Sequence, residues 1–189
     1  MLLDIVFIRI KMNVEFRILK DEDFSIYKNR LLKLYLQAFS EGEFSQFILD
    51  DAAEKDWEKY RRIGKIYVAL QSDKLLGALV AYPLRFDEHL PEQNVFDVRN
   101  AVYIAELMTD IQMQGKGIGK RLMNFFDENT DKNQYTETVI RVWEKNVPAL
   151  SLYRKLGFID SGISILQNKY DTKKNGFVMK KIYLSKKNI

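Results

Sequence analysis

Three observations predict an α+β fold of three layers, with a mixed, mostly antiparallel twisted sheet of six to seven strands flanked by four helices. Two apolar runs, 65–71 and 75–82, stand at hairpin spacing around a short Ser72-Asp73-Lys74 turn. The strand-like stretches 102–109 and 138–143 enclose an amphipathic helix over 118–129, so they form a βαβ unit and should be parallel neighbours with a right-handed crossover. Finally, 158–168 and 176–185 alternate like a closing hairpin that turns at Lys173-Lys174-Asn175-Gly176.

The remaining elements are read in chain order. Residues 1–10 are apolar but interrupted by Asp4 and Arg9, lack a basic leading segment and fall far short of the ~20 residues of a membrane span, so no export signal is expected. Met12 offers a second start, and residues 1–11 read equally as an extra strand or as a start-site extension before the strand at 14–19. Phe24, Tyr27, Leu31, Leu34, Tyr35 and Ala38 recur at intervals of three and four after Asp21, a capping candidate, which predicts a helix over 21–39. A second helix is expected from Phe44 to about Arg62, with Phe47, Ile48, Ala52 and Tyr60 inward and its many charges outward. Residues 83–100 carry two of the three prolines, the lone His89 and several acids, and read as a long surface loop of the kind that covers a binding site. In the 118–129 helix, Ile118, Leu122, Phe125 and Phe126 share one face. A short helix opens at Asn146 with Pro148 in its first turn and stops at Gly157.

Composition sets the outer limits. At 189 residues, 47% of them hydrophobic and with only 9 Gly and 3 Pro, the chain fits a single domain, 1–189, with a sizeable core. Its net charge of +4 is a small imbalance among 30 basic and 26 acidic residues spread along the chain, so neither nucleic acid nor a membrane surface is implied as a partner. The absence of cysteine excludes disulfides, thiolate metal sites and a cysteine nucleophile, which suits a cytoplasmic setting, and a single histidine excludes a multi-histidine metal centre.

The most informative stretch is Gln114-Gly115-Lys116-Gly117-Ile118-Gly119-Lys120, between a strand and a helix. It lacks the Ser/Thr of a P-loop, since Arg121 follows Lys120, and its Gly-x-Gly-x-Gly spacing differs from the Gly-x-Gly-x-x-Gly of a dinucleotide site. Glycines without Cβ let the chain turn sharply, and the free N–H groups of the following helix then point at an anion. Each such bond to a charged oxygen contributes roughly 1.5–3 kcal/mol, so three or four of them hold a pyrophosphate without a metal. Lys116 and Lys120 add positive field. A turn used only for tight packing is the competing reading.

This stretch fits the Gln/Arg-x-x-Gly-x-Gly/Ala signature, and the sequence thereby resembles the GNAT superfamily of acyl-CoA-dependent N-acyltransferases. A second block, Asn146, Ala149, Tyr153 and Gly157-Phe158, is similar to that family's Asn-x-x-Ala-x-x-x-Tyr-x-x-x-Gly-Phe pattern. With the order of elements, the similarity runs from about residue 14 to 185. The resemblance implies a central parallel pair splayed to admit CoA, with acetyl-CoA as co-substrate and no metal. It also implies that backbone N–H groups of Gly115, Lys116, Gly117, Ile118, Gly119 and Lys120 bind the pyrophosphate, with Gln114 shaping the turn. The pantetheine arm would pair with Leu107, Met108 and Thr109, opposite a wall made by Trp143 and by the helix carrying Asn146 and Ala149.

The implied reaction is direct attack of an amine on the thioester. Tyr153, protonated at neutral pH, is the candidate acid for the departing sulfur; the alternative is a ring that only packs under the cofactor. For the base, Glu106 is the carboxylate on the cofactor strand. Simple alternation puts it on the face opposite Tyr103, Ala105 and Leu107, whereas the family's base shares theirs unless a bulge resets the order. Tyr103, a water chain and His89 therefore stay open beside it.

The acceptor is expected at the far end of the opening, near the acids Glu41, Glu43, Asp87, Glu88, Glu92 and Asp97. Residues 142–146, Val-Trp-Glu-Lys-Asn, look similar to the second block of some bacterial polyamine acetyltransferases, which favours a small cationic amine. Protein or peptide acetylation and a non-catalytic acyl-CoA sensor are the competing readings, and a homodimer through the final hairpin is left open.

Overall fold

The computed structural model describes residues 13–41, 45–91 and 95–188. Seven strands form one sheet in the order β1-β2-β3-β4-β5-β7-β6. They are β1 (Glu15–Ile18), β2 (Lys65–Gln71), β3 (Lys74–Pro83), β4 (Ala101–Thr109), β5 (Glu137–Trp143), β6 (Ile159–Tyr170) and β7 (Gly176–Lys187). Every neighbouring pair is antiparallel except β4 and β5, which run parallel. The expected extra strand or start extension at 1–11 lies outside the described residues.

Helices α1 (Phe24–Ser40) and α2 (Asp50–Ile63) cover one face of the sheet, with Leu31, Leu34, Trp57 and Tyr60 packed on Val68, Val80, Tyr103 and Tyr183. On the other face, α3 (Ile118–Glu128) and α4 (Val147–Lys155) bury Ile118, Leu122, Phe126, Leu150 and Tyr153 against Leu76, Leu79, Ile104 and Ile140. Two apolar cores on opposite sides of one sheet make the three layers.

Several expectations need correction. The first α-helix begins at Phe24 rather than Asp21, which instead opens a 3₁₀ turn, makes no side-chain cap and pairs with Arg61 at 3.5 Å. The second helix starts at Asp50: residues 45–49 form no regular element and Phe44 lies outside the described residues. Its inward positions are Ala53, Trp57 and Tyr60, so the expected Ala52 gives way to its neighbour and Phe47 precedes the helix. Within 83–100, Leu84, Asp87 and Phe96 are buried, so this connection packs into the core rather than only over the surface.

Two details of β3 and β4 shape the middle of the sheet. Gly77 lets α3 approach, because a Cβ there would stand 2.8 Å from the Met108 carbonyl oxygen and 3.1 Å from both Ile118 Cγ2 and Leu122 Cδ1. The β3–β4 ladder steps from Val80 opposite Glu106 to Ala81 opposite Ile104, so one extra residue, Ala105, bulges from β4.

Candidate active site

The parallel pair holds together only at its base. β4 and β5 are in register from Ala101 opposite Glu137 to Ile104 opposite Ile140 and no further, so the later residues of both strands part. β4 keeps its pairing with β3 up to Thr109, which leaves its other edge open over 105–109. An extended chain bearing amides can add there as a strand does. Met108 offers only its backbone, since its side chain is buried in the core, while Leu107 and Thr109 are partly exposed.

The glycine turn comes directly after this strand. A 3₁₀ turn over Ile111–Met113 is capped by Asp110, whose carboxylate accepts from the Gln112 N–H at 2.8 Å. Gly115 and Gly117 then adopt left-handed φ values of +73° and +82°, which other residues take only with strain. Helix α3 starts directly after Gly117, its first internal bond running from the Arg121 N–H to the Gly117 carbonyl at 3.0 Å. The N–H groups of Gly117, Ile118, Gly119 and Lys120 therefore precede the ladder without a backbone acceptor. The Lys116 N–H differs from expectation, for it is used on the Met113 carbonyl at 3.3 Å. Gln114 is exposed.

Across the opening, Asn146 caps α4: its Oδ1 accepts from the Ala149 N–H at 3.2 Å, so only its amide NH₂ remains for another partner. Tyr153 is buried on the same helix, 6.0 Å ring to ring from Phe158. Burial, with a smaller contribution from the charge of Glu106, pushes its phenol well above the usual value, so the hydroxyl stays protonated.

The bulge at Ala105 decides where Glu106 points. With one residue added, Tyr103, Ala105 and then Glu106 and Met108 turn toward α1 and α2, while Leu107 falls with Ile104 on the other side. The Tyr60 hydroxyl of α2 donates to Glu106 Oε1 at 2.7 Å. Burial raises the Glu106 carboxyl to about 7, against the opposing effects of the Tyr60 hydrogen bond and of Lys181. Tyr103 is buried beneath the Arg141 guanidinium, 5.8 Å from its ring, and burial drives its phenol far upward. His89 is pushed down by burial and by Arg141.

Around Glu106 the sequence did not anticipate Tyr35, Asp56, Arg141 or Tyr183. Tyr35 donates to Asp56 Oδ2 at 3.2 Å, and Arg141 meets Asp87 at 3.3 Å while Tyr183 donates to Asp87 Oδ2 at 2.9 Å. Of the acids expected around an acceptor, Asp87 is thus buried and paired, Glu88 binds Lys59 at 2.6 Å, and Asp97 bonds within its own turn to Asn100. Glu41 ends α1, and Glu43 and Glu92 lie outside the described residues.

A parallel pair that parts beside a glycine turn with unpaired amides defines a fold and site built for an acyl-CoA-dependent acyltransferase. The model of the acetyltransferase (GNAT) family matches residues 28–158, more than half of the sequence, and the chain belongs to that family. Its class is that of an acetyl-CoA-dependent acetyltransferase. Solved structures share the fold. An N-acetyltransferase from Staphylococcus aureus Mu50 superposes with a TM-score of 0.68 at 16% identity, covering 94% of this chain and 99% of its own. The Salmonella typhimurium protein yncA, solved with its cofactor acetyl-CoA, does so at 0.68 and 15%, covering 94% and 95%. A ribosomal-protein-alanine N-acetyltransferase from Brucella melitensis reaches 0.67 and 16%, covering 92% and 99%. No curated protein sequence matches the chain.

Proposed function

We propose that this protein transfers an acetyl group from acetyl-CoA to a primary amine by direct attack, with Glu106 as general base and Tyr153 as general acid. The observation that carries the reading is the β4 bulge, which turns Glu106 toward α2 and the Tyr60 hydroxyl, with a carboxyl raised to about 7. A base of that strength takes a proton from an ammonium near neutral pH, where an unperturbed carboxylate is too weak. Tyr103 is too weak an acid to serve as its substitute, and His89 makes no side-chain bond to Glu106 or Tyr153 among the described residues.

Acetyl-CoA supplies an activated thioester, and the unpaired amides of Gly117 to Lys120 fit its diphosphate as the open edge of β4 fits its amide-bearing arm. Glu106 accepts the proton lost as the nitrogen–carbon bond forms. Tyr153 gives its proton to the sulfur as the carbon–sulfur bond breaks. Replacement of Tyr153 by Phe tests the scheme. CoA release should slow by about 10²-fold or more, with acetyl-CoA affinity within a few-fold of wild type by calorimetry. Unchanged turnover would remove the acid role.

A further inference from the structure

The β6–β7 hairpin sets two lysines in rows that face the α1 and α2 side of the sheet, as Glu106 does, and nothing in the reaction above employs them. On β6, Ile163, Ile165, Gln167 and Lys169 alternate inward; on β7, Phe177, Met179, Lys181 and Tyr183 do the same. The register sets Lys181 opposite Ile165 and Lys169 opposite Phe177, with Gln167 opposite Met179 between them. Lys181 is also paired laterally with Trp143 of β5, on the strand that forms the second wall of the opening.

The charged neighbours are Glu106 from β4, Asp56 from α2, Asp87 from the 83–100 connection and Arg141 from β5. Each of these carboxylates already has a donor of its own: Tyr60 for Glu106, Tyr35 for Asp56, and Arg141 with Tyr183 for Asp87. Neither Lys169 nor Lys181 has a carboxylate within 4.0 Å among the described residues. Gln167, between them, buries its Oε1 with no donor. Partly buried ammonium groups without counterions are costly, and here they repel one another: burial and Lys169 push Lys181 down to about 8. Two partly buried ammonium groups without an acceptor describe a cationic site that lacks its anion.

We propose that Lys169 and Lys181 bind an anionic group on the acceptor, so that the substrate is a small amine that also carries a carboxylate or a phosphonate-type group. The inference rests on the acetyl-transfer reading and narrows its acceptor. The Lys169 and Lys181 ammonium groups take the anion, while the amine end lies toward Glu106, which needs its proton. A polyamine would instead bring further positive charge to the two lysines.

The test is CoA release from wild-type protein with amines paired so that only the acid group differs: phenylalanine against phenethylamine, and leucine against 3-methylbutylamine. An aminophosphonate arm, 1-amino-2-phenylethylphosphonate, separates carboxylate from phosphonate recognition, and spermidine is the cationic arm. The acid-bearing member of a pair should show at least 10-fold higher kcat/KM, mostly through KM. In Lys169→Met and Lys181→Met that ratio, taken within each variant so that general damage cancels, should fall toward one. A wild-type ratio near or below one, spermidine as the best acceptor, or a ratio that persists in both variants would overturn the inference and leave acetyl transfer standing. Absence of CoA release from every amine, with coenzyme binding seen by calorimetry, would overturn both.

Discussion

A carboxylate surrounded by protein ionises reluctantly, and the largest influence easing Glu106 is one phenol, ahead of the charges of Lys181 and Arg141. The Tyr60 hydrogen bond favours the charged form, opposing burial. Since the base must be unprotonated, kcat/KM should fall as pH drops below about 7, and a pH–rate profile should show that acid limb. Tyr60→Phe removes the stabilising donor, so the limb should move to higher pH; a limb that stays in place would mean that another group titrates. Glu106→Gln should lower kcat by about 10²–10⁴-fold and abolish the limb. The sequence shows the carboxylate but not its orientation. Alternation along 101–109 puts Glu106 on the wrong face, and the Ala105 bulge that reverses this arises from pairing with β3, which no local pattern reveals. Lys169 and Lys181 were more accessible, because they continue the alternation of Ile163 and Ile165, yet lysines in a closing hairpin pass as solvated positions.

Elements were readable where their signals are local. The glycine turn and the strand–helix–strand unit around it depend on residues within a few positions of one another, and their bounds agree with expectation to about a residue. Helix α2 shows the opposite case: it starts at Asp50 without a capping side chain, after an apolar stretch, Phe47 to Leu49, that continues a helical rhythm while forming no regular element. At the turn, a Cβ on Gly119 would sit 3.6 Å from Thr109 Oγ1 and 3.7 Å from Leu152 Cδ2, ordinary contact distances. Gly119→Ala should therefore keep its CoA affinity, whereas the branched side chain of Gly119→Val should weaken it by 10-fold or more in calorimetry. Gly77 tolerates less, with backbone at 2.8 Å from its virtual Cβ. Gly77→Ala should cost about 1–3 kcal/mol and lower Tm by several degrees in thermal denaturation.

The charge cluster also marks the stability of the whole molecule. Between its ordinary value of 4.5 and about 7, Glu106 holds a proton in the folded state that the unfolded chain has released. Folding then binds more protons than unfolding, so stability falls as pH rises through this window, by at most about 3 kcal/mol. Chemical denaturation at pH 5 and pH 8 should show this decline in wild type and a smaller one in Glu106→Gln. Among the described residues no helix is long and apolar enough to cross a membrane. The strand order carries a last consequence. β7, formed by residues 176–187, lies between β5 and β6, which have no pairing with each other. A nascent polypeptide that has left the ribosome only as far as Tyr170 holds both flanking strands with an empty slot between them, so the sheet closes only after the 176–187 stretch emerges, and a ribosome stalled before that point would present two bare edges to chaperones.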